Sequence, residues 1–424
     1  MATSDLIVLE HISPCAHIRE YPHATKGDDA VLHLAVKEYR PSEYEHGKEV
    51  PEGAVTIIAT HGNGFPKEAY APLFSDLLAS TKSKGLAIRG IWIADMVNQG
   101  ASYALNKNEL GDDPNWLDHS RDLFIMINQF RDRMKPPLVG LAHSMGSAQI
   151  VNLSLMHPRL FHSLIIIDPI MQSRAPPGPN AAMFSSMRRE RWDSRAKAEA
   201  QIRRNGFFQS MDPRALDAYV KYALQDSPDG GVELATPKAQ EAWTYVRSNF
   251  HPLPKDGDVS AETRDLERML NPEILPFSDM SKAMFPQPAM VPVVESLPKL
   301  RPRVLYVSGD CSHINYDEVR EEYLARTGVE RGGSGGAAVG AVEEKIIEDG
   351  THLCPFEKPI AIAKEVAEWL DKEVARWKKE AHFWATYDSG KSKDRRTTLS
   401  EKWITATKEL STVERPTIKN GSKL

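Results

Sequence analysis

Short strand-like runs of apolar residues alternate with amphipathic stretches along much of the chain. Runs typical of buried strands occur at residues 30–36, 54–60, 86–94, 137–142, 164–170, 303–309 and 343–347. Apolar residues recur with helical spacing at residues 70–80, 116–134, 147–156 and 360–379. Strands that alternate with helices predict an α/β fold with a doubly wound, mostly parallel sheet. The ligand site of such a sheet lies at the carboxyl ends of its strands.

Residues 171–300 interrupt this alternation. Proline and glycine cluster near the start of the segment, helical spacing follows, and no strand of a parallel sheet is evident in its sequence. We therefore expect a mainly helical cap, inserted between a first core part at 1–170 and a second at 301–380. Such a cap normally excludes water and shapes the substrate pocket. Residues 381–424 are basic and poor in apolar residues, and they predict a tail.

Composition excludes several classes of protein. The 424 residues carry a net charge of −5, so the chain as a whole has no electrostatic footprint for nucleic acid. The three cysteines are odd in number and lack metal-ligand spacing, which argues against a disulfide framework or a zinc site: Cys15, Cys311 and Cys354. No segment has the pattern of a secretory signal or the length of a membrane span. The oligomeric state stays open, with a homodimer as one option.

The chain ends in Ser422, Lys423 and Leu424. This tripeptide is the signal that the peroxisomal import receptor recognises. We therefore expect the import receptor to be a partner of the protein, and the peroxisomal matrix to be its location.

The run from 137 to 148 predicts a strand that turns abruptly into a helix at Ser144. Such a nucleophile elbow needs small residues two positions before and two positions after the serine, because strand and helix pass close together there. Ala142 and Gly146 meet this need, although the usual pattern has glycine at both positions. Ser144 is therefore the candidate nucleophile. An ordinary strand-to-helix connection with a serine N-cap is the alternative.

A second glycine-bearing turn, at residues 61–68, follows the predicted strand 54–60. Backbone N–H groups freed by such a turn are suited to stabilise a developing oxyanion. The N–H of Met145, directly after the candidate nucleophile, would be one donor. For the donor from the turn we favour Asn63, with Phe65 as the alternative.

His352 follows the last predicted strand and is the candidate base, in the chain order Ser, Asp, His. Two carboxylates compete for the acid. Asp168 ends the strand after the nucleophile, and Asp310 follows the next-to-last strand, where the usual position of the acid falls nearer Ser312. We prefer Asp168, by analogy with hydrolases whose acid has moved to that strand end. Either acid would hold the histidine ring in one tautomer.

Four motifs together resemble a fungal family of peroxisomal α/β-hydrolases, which includes the mycophenolic acid acyl-coenzyme A hydrolase and hydrolases of host-selective toxin pathways. The motifs stand at residues 61–68, 143–146, 168–169 and 350–356. The resemblance implies the α/β-hydrolase fold and a triad of Ser144, Asp168 and His352. It also implies an enzyme of fungal secondary metabolism that releases a free acid from an acyl-CoA thioester after peroxisomal chain shortening.

Our leading hypothesis is acyl transfer to water through an acyl-enzyme, with no metal or cofactor. The first alternative is a peroxisomal carboxylester hydrolase or lipase with the same triad. A further alternative is an acyltransferase or cyclase that uses the same acyl-enzyme. A cluster of arginines in the predicted cap offers candidates for the CoA phosphates, or else forms a solvated helix face: Arg188, Arg189, Arg191, Arg203 and Arg204.

Overall fold

A computed structural model of the protein describes residues 5–171, 181–249, 260–274, 287–387, 392 and 396–410. The chain divides into two compact units, residues 1–375 and residues 376–424. Among the helices within the described ranges, none is both long enough and apolar enough to cross a membrane. The predicted import tripeptide, Ser422 to Leu424, lies outside the described residues.

The described strands, in chain order, are β1 (Leu6–Pro14), β2 (His33–Pro41), β3 (Val55–Thr60), β4 (Ile88–Ala94), β5 (Leu138–His143), β6 (Ser163–Ile167), β7 (Arg191–Trp192), β8 (Leu224–Asp226), β9 (Val232–Leu234), β10 (Arg303–Gly309) and β11 (Val342–Ile347). Eight of these described strands form one sheet in the order β1-β2-β4-β3-β5-β6-β10-β11. Within this sheet, the six strands β4, β3, β5, β6, β10 and β11 pair in parallel. Strand β2 is antiparallel to both of its neighbours. The predicted doubly wound, mostly parallel sheet is therefore confirmed.

The described α-helices are α1 (Ala71–Ser83), α2 (Gly100–Asn106), α3 (Asp118–Gln129), α4 (Met145–Met156), α5 (Ala181–Met187), α6 (Arg195–Arg204), α7 (Gly206–Gln209), α8 (Pro213–Tyr222), α9 (Lys238–Tyr245), α10 (Ala261–Leu270), α11 (Val291–Ser296), α12 (Asp317–Arg326), α13 (Cys354–Glu357), α14 (Pro359–Thr386) and α15 (Glu401–Glu409). Helices α5 to α11 lie in the insertion between β6 and β10. The insertion also holds the small antiparallel sheet β7-β9-β8.

The central strands are buried on both faces, which explains why their sequences are continuous apolar runs. One core packs α1 and the first part of α14 against one face of the sheet. The other core packs α3 and α4 against the opposite face. Each fully buried aliphatic side chain contributes about 1.5–3 kcal/mol through removal from water, so these two layers hold the strand ends in place.

The edge of the sheet differs from the sequence-based prediction. Strand β1 was not predicted, because polar residues such as His11 interrupt its apolar pattern. Only Leu6 and Ser13 of this strand are buried, and the residues between them are half-buried or exposed. Strand β2 begins three residues later than the predicted run and continues through Lys37 and Glu38. Both charged side chains are buried and paired, Glu38 with His11 at 3.0 Å. Because polar side chains of β1 and β2 pair with each other, these segments lack the apolar periodicity that is typical of a buried strand.

The C-terminal part is more helical than the predicted tail. Helix α14 runs to Thr386, beyond the expected end at residue 379, and α15 lies inside the segment predicted as a tail. Ser400 caps α15, because its Oγ accepts a hydrogen bond from the N–H of Trp403 at 3.2 Å. The end of α14 and helix α15 were not predicted, because this part of the chain is rich in polar residues.

The central strand β6 offers a test of the packing. Ile165 is fully buried between β5 and β10, so Ile165→Ala should lower the free energy of unfolding by about 2–5 kcal/mol. Chemical denaturation followed by circular dichroism measures this loss. The matched control is Ile12→Ala on the edge strand, where the side chain is 55% exposed and the change should stay within about 0.5 kcal/mol. Equal losses in the two variants would contradict the layered core.

Candidate active site

Ser144 stands at the sharp turn between β5 and α4. Its backbone has φ 56° and ψ −123°, a strained combination for a residue with a side chain. Ser144 stands at the N-cap position, but its side chain makes no capping hydrogen bond to the helix, so the hydroxyl is not used as a cap. A Cβ on Gly146 would lie 2.6 Å from Thr60 Oγ1 of strand β3. The close approach of strand and helix therefore requires the glycine, as a nucleophile elbow does.

Three predicted site residues meet at this turn. Ser144 Oγ lies 2.8 Å from His352 Nε2, and His352 Nδ1 lies 2.7 Å from Asp168 Oδ1. The Asp168 side chain is fully buried, whereas that of His352 is 17% exposed. A hydroxyl, an imidazole and a carboxylate in this order can generate a serine nucleophile.

The carboxylate of Asp168 is surrounded by donors. Oδ1 accepts hydrogen bonds from Ser312 Oγ at 2.8 Å and Asn315 Nδ2 at 2.7 Å, and Oδ2 accepts one from the N–H of Gly309 at 3.2 Å. Burial would raise the pKa of Asp168, but the hydrogen bonds from His352, Asn315 and Ser312 outweigh it and lower that pKa. The buried acid therefore stays ionised at neutral pH.

Asp310, the competing acid, is exposed to solvent. Its main-chain N–H bonds to the carbonyl of Ile347 at 3.1 Å, and within the described part of the chain its carboxylate makes no hydrogen bond to His352. The same loop instead contributes Ser312 and Asn315 to the carboxylate of Asp168. Sequence reasoning did not assign these two a role. The available signal was that Ser312 stands near the usual position of the acid.

Among the four residues 62–65 of the turn after β3, one main-chain N–H has no hydrogen-bond partner within the described residues. Three of its amides are hydrogen-bonded at 2.8–3.3 Å: Gly62 to Tyr70 Oη, Gly64 to Gln99 Oε1 and Phe65 to the Gly62 carbonyl. Within the described residues, the N–H of Asn63 has no such partner, and neither has the N–H of Met145 at the start of α4. Two free N–H groups beside a serine are suited to an oxyanion. This geometry favours Asn63 over Phe65.

The turn also lies directly beside the serine. A Cβ on Gly62 would lie 3.2 Å from Ser144 Cβ, so the glycine permits the contact. The side chain of Asn63 anchors the turn, because its Oδ1 accepts from Gln99 Nε2 at 2.5 Å and its Nδ2 donates to the Glu241 carbonyl at 3.0 Å. Gln99 thus holds two residues of the turn, a role that the sequence did not suggest.

A model of the alpha/beta hydrolase family matches residues 57–365, nearly three quarters of the chain. The chain belongs to this family. A protein named type I acyl-CoA thioesterase mpaH' from Penicillium brevicompactum is 36% identical to this hydrolase, over 92% of this chain and 94% of its own length. The abhydrolase domain-containing protein ACTT2-1 of Alternaria alternata is 28% identical, over 57% of this chain and 85% of that protein.

Solved structures share the architecture of this hydrolase. The peroxisomal alpha-beta-hydrolase Lpx1 of Saccharomyces cerevisiae has a TM-score of 0.67 at 16% sequence identity. The match covers 96% of this chain and 97% of that one. At this level of identity the similarity concerns the fold alone.

Lys67 and Glu68, the two charged residues of the turn at residues 61–68, are both buried. Lys67 Nζ lies 2.6 Å from Asp95 Oδ2 at the end of β4 and 3.1 Å from Glu68 Oε1, which also pairs with Lys37 of β2. Burial would lower the pKa of Lys67, but Asp95 and Glu68 raise it to about 12. The lysine therefore stays charged and ties the turn to two neighbouring strands.

The cap arginines are paired with groups of the insertion itself. The pairs are Arg188 with Glu241, Arg191 with Glu233, Arg203 with Asp217, Arg189 with the Arg191 carbonyl and Arg204 with the Ala200 carbonyl. The four exposed arginines therefore fit a solvated helix face: Arg189, Arg191, Arg203 and Arg204. Arg188 is half-buried, and its partner Glu241 lies against Gly64 of the turn. Nor do the described residues include a group of three or more His, Cys, Asp or Glu side chains that could hold a metal ion.

The two candidate acids provide a direct test. Asp168→Asn replaces the buried carboxylate with an amide, which disfavours the required tautomer of His352, so kcat should fall by about 10³–10⁴-fold. Asp310→Asn removes an exposed carboxylate and should leave kcat within about two-fold. Steady-state hydrolysis of an activated p-nitrophenyl ester measures both. Loss of activity on Asp310→Asn with retention on Asp168→Asn would reverse the assignment.

Proposed function

We propose that this hydrolase releases free acids from acyl-CoA thioesters through a covalent acyl-serine. The observation that carries the proposal is the hydrogen-bonded chain from Ser144 through His352 to Asp168. Support for the CoA ester as substrate comes from the relatives in Penicillium, which are named acyl-CoA thioesterases and match nearly the whole chain. Fungal secondary metabolism is the proposed setting.

In the proposed first half-reaction, His352 removes the proton from Ser144 Oγ as the oxygen attacks the thioester carbonyl carbon. The N–H groups of Met145 and Asn63 stabilise the resulting oxyanion. The C–S bond then breaks, and the departing CoA sulfur receives the proton from His352. Asp168 holds the imidazole ring and stabilises its positive charge while the proton is on it.

In the second half-reaction, His352 removes a proton from water as the water oxygen attacks the acyl-serine carbonyl. The second oxyanion uses the same two N–H groups. The C–O bond to Ser144 breaks, the serine oxygen regains a proton from His352, and the free acid leaves. One thioester and one water are thus converted into one acid and one thiol.

The insertion between β6 and β10 is proposed to act as the cap over this chemistry. Its helix α9 contacts the loops that follow β3 and β4: Asn63 Nδ2 bonds to the Glu241 carbonyl, and Asn98 Nδ2 bonds to Thr244 Oγ1 at 3.0 Å. Ser144 is only 5% exposed. Contacts of this kind keep bulk water from the acyl-enzyme.

A hydrolase of oxygen esters is the second candidate. The observation that favours it is the pairing of the five cap arginines with carboxylates and carbonyls, which leaves them poorly suited to bind the phosphates of CoA. The triad chemistry would be the same, with an alkoxide as the leaving group in place of a thiolate.

The peroxisome is the proposed location. The support is the tripeptide Ser422, Lys423 and Leu424, which has the chemistry that the import receptor recognises. Acyl-CoA esters shortened in peroxisomes would then be available to the enzyme.

The substrate class can be tested with the purified protein, its Ser144→Ala variant and a panel of acyl-CoAs beside matched methyl and p-nitrophenyl esters. We expect turnover of CoA esters well above that of oxygen esters, and a loss of about 10⁴-fold or more on Ser144→Ala. Free thiol and product acids are followed by mass spectrometry. Ser147→Ala, one turn along α4, is the matched control and should stay within about two-fold of the native rate.

Two outcomes would contradict the proposal in different ways. A preference for oxygen esters would move the assignment to the second candidate. Turnover that survives Ser144→Ala would remove the acyl-serine itself.

The location can be tested by fluorescence microscopy in a fungal host, with the label at the N-terminus of the full chain. The protein should coincide with a peroxisomal marker, and removal of residues 422–424 should make it diffuse. The matched control removes the three residues before the tripeptide, 419–421, and keeps Ser-Lys-Leu at the end, which should retain the pattern. An unchanged distribution after removal would overturn the proposal.

A further inference from the structure

A second chain of hydrogen bonds passes through Tyr70 and through His143, the residue before Ser144. Tyr70 Oη accepts from the N–H of Gly62 at 2.8 Å and lies 2.7 Å from His143 Nδ1. The other ring nitrogen, His143 Nε2, lies 2.9 Å from the main-chain carbonyl oxygen of His352. The chain therefore runs from the turn after β3 to the backbone of the candidate base.

The directions of these bonds follow from the chemistry of the groups. A carbonyl oxygen only accepts, so His143 Nε2 must carry a hydrogen. In a neutral imidazole the other nitrogen then accepts, and it takes the hydroxyl hydrogen of Tyr70. The tyrosine oxygen keeps a lone pair for the N–H of Gly62. Every group along the chain is thus satisfied with a neutral imidazole.

The surroundings favour this neutral state. Tyr70 and His143 are both fully buried, and the ring of Phe356 packs edge-on against each of them. Burial, followed by the neighbouring His352, lowers the pKa of His143 to about 3. Burial also raises the pKa of Tyr70. Neither group changes its charge near neutral pH, so the chain keeps one arrangement.

The fit around the chain is tight. A Cβ on Gly62 would lie 3.0 Å from His143 Nδ1, so glycine is needed here for the approach of the histidine ring. Gly62 does not have a positive φ, in contrast to Gly64 at +80° in the same turn. The first glycine of the motif therefore serves the contact with His143, and the second serves the backbone conformation.

His143 is not a second base. It precedes Ser144 in the chain, but both of its ring nitrogens are occupied by partners other than the serine hydroxyl. Tyr70 likewise bonds only within this chain among the described residues. The two side chains reach the reacting atoms only through other residues, and we therefore consider them as positioning residues.

We propose that Tyr70 and His143 act as one rigid unit that fixes the backbone of His352 relative to the oxyanion turn. The inference rests on the proposed function, because it assigns these two segments to the base and to the oxyanion donor. A displacement of about 1 Å between catalytic groups costs about 10²-fold in rate. Loss of the unit should therefore slow the chemical step and leave ground-state binding of the substrate intact.

The experiment compares Tyr70→Phe, His143→Leu, their double variant and the conservative His143→Gln. Rates are measured as kcat and KM on the preferred ester and as the rate of serine labelling by a fluorophosphonate. We expect kcat and the labelling rate to fall by about 10-fold for Tyr70→Phe and about 10²-fold for His143→Leu, with KM within two-fold. His143→Gln retains a donor and an acceptor and should recover most of the loss.

The double variant is the decisive measurement. Tyr70 reaches the backbone of His352 only through His143, so His143→Leu already removes the contribution of both side chains. The double variant should therefore be no slower than His143→Leu. Multiplied losses in the double variant, or a loss on His143→Gln as large as that on His143→Leu, would overturn the inference.

The matched control is Tyr306→Phe. Tyr306 is equally buried, and its hydroxyl bonds to Thr327 Oγ1 at 2.8 Å. This variant should lose similar thermal stability to Tyr70→Phe but keep the native kcat. If Tyr70→Phe behaves in the same way, the role of Tyr70 is structural only and the inference is wrong. Tyr70→Phe preserves the shape of the side chain, so it decides the question even if His143→Leu fails to fold.

Failure of the proposed function gives a different result. Labelling that survives Ser144→Ala would contradict the acyl-serine whatever the other variants do. Labelling that is lost on Ser144→Ala but unchanged on both Tyr70→Phe and His143→Leu would reject the positioning unit alone.

Discussion

A buried carboxylate must be surrounded by hydrogen-bond donors, and this requirement organises one side of the active-site edge. The side chain of Asp168 is out of contact with water, and an uncompensated charge there would cost on the order of several kcal/mol. Its donors come from the loop after β10 and from His352 after β11. One carboxylate therefore holds the ends of three neighbouring strands in a fixed arrangement, and Ser144 sits beside it.

The opposite side of Ser144 depends on a second buried charge. Lys67 pairs with Asp95 and Glu68, and this pairing ties the turn after β3 to β4 and β2. Gln99 fixes the same turn through Asn63 and Gly64. The neutral chain of Tyr70 and His143 then joins this side to the backbone of His352. Charged groups thus anchor both segments, and the neutral link between them adds no net charge near Ser144.

The insertion has a more limited role in this arrangement. Its helix α9 contacts the turn, because the Glu241 carbonyl accepts a hydrogen bond from Asn63 Nδ2. Two of its arginines pair with carboxylates outside the insertion, Arg214 with Asp76 and Arg247 with Asp113. The positions of Ser144, Asp168 and His352 are set by the strands and loops of the sheet. Substrate preference is therefore the property that we assign to the insertion, and the reaction type is the property that we assign to the sheet.

Much of this protein was evident from the amino-acid sequence by itself. Continuous apolar runs predicted the parallel strands, because a strand that is covered on both faces is apolar at nearly every position. The elbow at Ser144, the turn at 61–68 and the order Ser, Asp, His were visible because each depends on local chain geometry or on position after a strand. Tertiary structure alone placed the carboxylate of Asp168, and not that of Asp310, beside His352. It alone also revealed the contacts of Ser312, Asn315, Gln99, Tyr70 and His143. Strand β1 and the charged part of β2 could not be predicted for the same reason. Their polar groups are stabilised by partners that are distant in the chain, and such pairs leave no apolar periodicity in the sequence.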